Sequence, residues 1–163
     1  MKQVVIVLAL AAVVLFMPAA AFAQKLVFVV RHAERADAGL QAQTDPLLSA
    51  AGEARAQKLA AMLADAGVKD IFATELKRTQ DTAKPIAVKT GVVVEQIASK
   101  DTALLIDKIR SHPNDVVLVV GHSNTLPAIL KALAGVDVAI ADNEYDNLFV
   151  IVPSTGTMTR IRY

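Results

Sequence analysis

The chain has no cysteine. That single absence excludes disulfide staples, thiolate nucleophiles and thiolate metal sites, so stability has to come from packing of its plentiful Val, Ile, Leu and Ala. A surplus of charge is missing as well, since 17 basic side chains face 16 acidic ones. With no basic patch interleaved with aromatics, this balance argues against a nucleic-acid binder. Internal repeats, low-complexity tracts and long linkers are also absent. Beyond the first 23 residues no stretch is long and apolar enough to span a bilayer, which takes roughly 20 apolar residues.

Those first 23 residues read as an export signal. Lys2 supplies a short positive start, Val4 to Met17 is almost wholly apolar, and Ala21-Phe22-Ala23 has the small-x-small pattern of a cleavage site. The apolar run is shorter than a membrane span and Pro18 follows it, which favours cleavage over retention as an anchor. The expectation is a periplasmic or secreted protein made of residues 24–163, a length that suits one domain with one core.

Two continuous apolar runs, Lys25 to Val30 and Val116 to Val120, read as buried strands ending in polar loops. Shorter strand candidates are Asp70 to Ala73, Val92 to Ile97, Leu148 to Val152 and Met158 to Ile161. Helical spacing fills the gaps. Leu59, Met62, Leu63 and Ala66 share one face of a first helix, with Ser49 as N-cap and Gly67 as its stop. A second helix falls between Thr74 and Gly91, and Pro85 is expected to bend or interrupt it. A third runs from Asp101 or Thr102 to Ser111. The fourth begins at Asn124 or Thr125, turns Leu126, Ile129, Leu130 and Leu133 inward, and closes at Gly135. Apolar strands alternating with helices predict an α/β three-layer sandwich, a mostly parallel central sheet with helices on both faces. Such sheets bind ligands beyond the carboxyl ends of their strands. Arg31-His32 and Gly121-His122 both fall at that kind of position, and Glu34 to Pro46 is long enough to act as a flap, with Arg35, Asp37 and Gln43 as candidate substrate contacts.

Three ordered pieces now stand out: Val29-Val30-Arg31-His32-Ala33-Glu34, then Thr74-Glu75-Leu76-Lys77-Arg78-Thr79-Gln80-Asp81-Thr82-Ala83, then Val119-Val120-Gly121-His122-Ser123-Asn124. Together with Leu48-Ser49-Ala50-Ala51-Gly52 they resemble the histidine phosphatase, or phosphoglycerate mutase-like, superfamily, and the resemblance covers nearly all of residues 24–163. It implies His32 as a nucleophile that is briefly phosphorylated, with Arg31, Arg78 and His122 around the phosphate. Those roles are physically sensible. A phosphoryl group repels an incoming nucleophile, and paired guanidinium donors neutralise and position it. An imidazole with a pKa near about 6.5 is largely unprotonated at neutral pH. Gly121 would let the chain pass close to the ligand, and Thr74, as a cap of the second helix, would leave N–H groups facing an anion.

The resemblance also calls for a carboxylic acid to protonate the leaving alcohol, and it places that acid between Arg78 and His122. Asp101 is preferred there, with its plain reading a helix cap; Glu95, Glu34 and Glu144 are the other candidates. Asp142 to Asn147 reads as an ordinary polar turn in preference to a pocket rim, and His112 as a surface turn residue. The expected activity is that of a phosphoric monoester hydrolase acting on a small phosphorylated substrate, with no cofactor and no metal. A phosphomutase, a phosphohistidine phosphatase and a non-catalytic phosphoryl-ligand binder are the alternatives. A metal site on His32 and His122 is opposed by the two neighbouring arginines.

Overall fold

In the computed structural model, residues 26–36, 45–113 and 115–163 are described. The expected export signal and the middle of the expected flap, including Asp37 and Gln43, lie outside them. Four strands, β1 (Val27–Arg31), β2 (Val68–Ala73), β3 (Val94–Gln96) and β4 (Val116–Gly121), run parallel, and β5 (Asn147–Val152) with β6 (Thr157–Arg162) completes a six-stranded sheet in the order β3-β2-β4-β1-β5-β6. The last two strands are antiparallel additions beside β1. The fold is the expected α/β sandwich.

The three layers follow from strand periodicity, because successive side chains point to opposite faces of a sheet. Val27, Val29, Val117 and Val119 pack on one face with Leu105, Ile106 and Ile109 of α3 (Thr102–Ser111) and Leu126, Ile129, Leu130 and Leu133 of α4 (Leu126–Ala134). Phe28, Val30, Leu118 and Val120 pack on the other with Leu59, Ala60 and Leu63 of α1 (Ala50–Leu63) and Ala83 and Ile86 of α2 (Lys77–Thr90). Burying each Val, Leu, Ile or Phe completely contributes roughly 1.5–3 kcal/mol. The continuous apolar character of β1 and β4 is thus a consequence of being covered on both sides.

Local signals account for most helix ends. Ser49 Oγ accepts the Gly52 N–H at 3.2 Å, and Gly135 ends α4 with φ of 71°. Helix α1 stops at Leu63, and Gly67 makes the following turn with φ of 74°. Two details depart from the sequence reading. Helix α2 is not interrupted at Pro85, because burial of Ala83 and Ile86 against the sheet outweighs a proline cost of about 3 kcal/mol. Thr74 does not cap α2; Leu76 stands at the N-cap, and the Lys77 N–H goes to Asp45 Oδ1 at 2.9 Å.

Candidate active site

Sheet register brings the two histidine loops together. Arg31 of β1 lies opposite Gly121 of β4, so the next residues, His32 and His122, leave neighbouring strand ends side by side. Adjacent strands are about 4.8 Å apart, and the imidazole centroids are 5.3 Å apart. The His32 N–H donates to the Gly121 carbonyl at 2.9 Å, which continues the ladder one residue past the strand. Arg78, from the first turn of α2, joins both rings and Arg31 in the lining of one cleft. The four residues singled out in the sequence therefore meet around one space.

Each ring is wired differently. His32 Nδ1–H donates to the carbonyl of Ala33 at 2.8 Å, which leaves Nε2 as the nitrogen with the free lone pair. Burial holds the His32 pKa down at about 3; the charges of His122, Arg31 and Arg78 act in the same direction, against the Ala33 hydrogen bond. His122 Nε2 is engaged with Thr74 Oγ1 at 2.9 Å, and that hydroxyl contacts Thr79 Oγ1 at 2.8 Å. Nδ1 of His122 is buried without a hydrogen-bond partner. Burial holds this ring at about 4, with Arg78 and Arg31 adding to the effect and Glu75 opposing it. Both imidazoles are neutral at pH 7.

The loop that carries His32 is clamped from two sides. The Ala33 N–H donates to Thr82 Oγ1 at 3.0 Å, and Thr82 Oγ1 donates to the Arg78 carbonyl at 2.7 Å, so one hydroxyl ties the His32 loop to the turn bearing Arg78. On the other side, a Cβ on Gly52 would lie 2.3 Å from the Glu34 carbonyl oxygen, which explains glycine in the first turn of α1. Gly121 has a related purpose, and it is not the expected one. A Cβ there would meet Leu126 Cδ1 at 2.6 Å, so the missing side chain makes room for α4 and not for a ligand.

The polar run Asp142 to Asn147 rims the cleft, contrary to the plain-turn expectation, and supplies Asp142 and Tyr145 to its lining. The Tyr145 ring lies 5.9 Å from that of His32, and the Arg31 guanidinium stacks over it at 4.2 Å. Arg31 Nη1 also donates to the Ala141 carbonyl at 3.0 Å. Tyr145 was missed because one aromatic in a polar segment carries no periodic signal. Arg35 lines the cleft too, giving it a third guanidinium.

Asp101, by contrast, is a helix cap. Its Oδ1 accepts the Leu104 N–H at 3.1 Å, and it borders a separate cavity with Leu105 and Val119. The other expected acids are engaged elsewhere. Glu34 pairs with Arg55 at 2.7 Å, Glu95 with Lys108 at 2.5 Å, and Glu144 with Arg160 and Arg162. His112 stands at the C-cap of α3, its Nδ1 within 2.9 Å of the Lys108 carbonyl, in keeping with a turn residue. Among the described residues no group of three or more His, Asp or Glu side chains converges to hold a metal ion, and no helix is long and apolar enough to cross a membrane. A cleft with three guanidinium groups and two neutral imidazoles is suited to a phosphoryl anion.

Comparison with known proteins agrees with this reading of the fold. The family model for the histidine phosphatase superfamily, branch 1, matches residues 27–99. The probable phosphoglycerate mutase GpmB of Yersinia enterocolitica is 41% identical over 71 residues, which cover 42% of this chain and 33% of that protein. The chain thus spans about a third of the length of the curated relatives it matches. Among solved structures, the putative phosphohistidine phosphatase SixA from Agrobacterium tumefaciens is similar at 26% identity with a TM-score of 0.60, covering 77% of this chain and 90% of that one. The mycobacterial glucosyl-3-phosphoglycerate phosphatase in complex with VO3 shares the fold at 17% identity and a TM-score of 0.64, covering 77% and 90%. With the Arg-His strand end, the helix bearing Arg78 and the Gly-His strand end all in place, the chain is similar to the histidine phosphatase superfamily, branch 1, over residues 27–99.

Proposed function

We propose that the protein is a phosphatase that hydrolyses a small phosphomonoester by way of a phosphohistidine on His32. One observation carries the reading: the Ala33 carbonyl takes the Nδ1 proton of His32, so a bare Nε2 is offered inside a cleft lined by Arg31, Arg35, Arg78 and His122. The arginines hold the phosphoryl oxygens while Nε2 attacks phosphorus; the P–N bond forms as the ester P–O bond breaks, and water then displaces the histidine. The lining is polar throughout, which favours a hydrophilic substrate over a lipid. Export through residues 1–23 belongs to the same proposal, and fusing those residues to a β-lactamase lacking its own signal should confer ampicillin resistance on the host.

The direct test is phosphate release from p-nitrophenyl phosphate by residues 24–163. Quenched wild-type protein should carry an acid-labile, alkali-stable phosphate that is missing from His32→Ala. Absence of both turnover and label in the wild type, across aryl, sugar and protein phosphohistidine substrates, would refute the proposal. The likeness to the Agrobacterium protein is the reason for including the last class.

A further inference from the structure

The leaving oxygen of an ester needs a proton, and the carboxylates of Asp101, Glu34, Glu95 and Glu144 are each engaged with other partners and do not line the cleft. The structure carries one carboxylate in the cleft lining among the described residues, that of Asp142. Its placement is a built feature. Ala141 to Glu144 form a tight turn closed by the Glu144 N–H to the Ala141 carbonyl at 3.0 Å, and Asp142 occupies the corner. The turn is pinned from both histidine loops. Arg31 Nη1 donates to the Ala141 carbonyl, and Ser123 Oγ, one residue past His122, donates to Asp142 Oδ1 at 3.2 Å. The Glu144 carboxylate accepts the Ala141 N–H at 3.0 Å and fixes the turn from within. Ser123 takes only one of the two carboxylate oxygens. Asp142 is exposed, so water can reach its carboxylate for the second step.

We infer that Asp142 is the general acid of the first step, delivering its proton to the leaving oxygen as His32 Nε2 forms the P–N bond. In the second step the resulting carboxylate takes a proton from the attacking water, the P–N bond breaks, and Asp142 returns to its protonated form. This assignment rests on the phosphatase reading above, and a leaving-group series separates the two. Phenyl phosphate departs as a phenol with a pKa near about 10 and needs a proton; 2,4-dinitrophenyl phosphate departs as a stable anion and does not.

The measurement is the single-turnover rate of phosphohistidine formation, with enzyme in excess, for wild type and Asp142→Asn. Asparagine keeps the acceptor for Ser123 but has no proton of this kind to give. The expected loss is about 10²-fold on phenyl phosphate, at least ten times larger than the loss on 2,4-dinitrophenyl phosphate. An equal loss on both substrates would make Asp142 a structural or electrostatic group and overturn the inference, as would no loss on either. If wild-type protein forms no phosphohistidine with the dinitrophenyl ester, the phosphatase reading itself falls, and this assignment with it.

Discussion

His32 and His122 are alike in burial, in their position after a parallel strand and in being held neutral, yet their partners differ in kind. His32 is oriented by a backbone carbonyl, whereas His122 is oriented by the side chain of Thr74, which leans on Thr79. The difference teaches that His32 is set by chain path and His122 by a hydroxyl relay. Mutation should therefore reach His122 indirectly far more easily than His32.

Direct removal gives the largest effects. His32→Ala should abolish turnover, while His122→Ala and Arg78→Ala should each lower kcat by roughly 10²–10³, as loss of one electrostatic stabiliser does; equal residual activity in all three would erase the distinction between the rings. The backbone side of the comparison is next. Gly52→Ala forces a Cβ against the Glu34 carbonyl and should destabilise the fold by about 1–3 kcal/mol in urea titrations, because main chain cannot swing aside. Thr74→Val removes the partner of His122 Nε2. A loss of about fivefold in kcat, restored by Thr74→Ser, is expected from one hydrogen bond of about 1 kcal/mol; a failure of serine to rescue would point to packing instead.

The smallest effect is on proton linkage. Both rings bind a proton more weakly when folded, at about 3 for His32 and about 4 for His122, than an unfolded histidine near about 6.5. Unfolding therefore takes up protons between those values. The stabilisation is complete above about pH 6.5 and is lost as the pH falls towards 4 and then 3. In His32→Gln, unfolding near pH 5 should take up about one proton fewer than in wild type, read from the slope of unfolding free energy against pH.

The parts of this site that are legible in sequence are those fixed by periodicity and by local pattern. Continuous Val runs announced β1 and β4, and the fold rule then put His32 and His122 at a ligand edge. What escaped depends on contacts distant along the chain. Asp101 looked like an acid at a strand exit, yet the Leu104 N–H of the helix it caps claims the carboxylate. Pro85 looked like a break, but burial of Ala83 and Ile86 overrode it. The rim formed by Asp142 and Tyr145 is placed by Arg31, 110 residues away from Ala141, and no local signal encodes that distance. Gly121 was recognised as necessary, though its neighbour turned out to be Leu126.

The acceptor that chooses which nitrogen His32 offers is part of the main chain at Ala33. Point substitutions exchange side chains and leave that oxygen in place. The lineage of this protein is thus free to reshape the surroundings of the cleft, while the nitrogen that His32 presents is preserved by the peptide backbone itself.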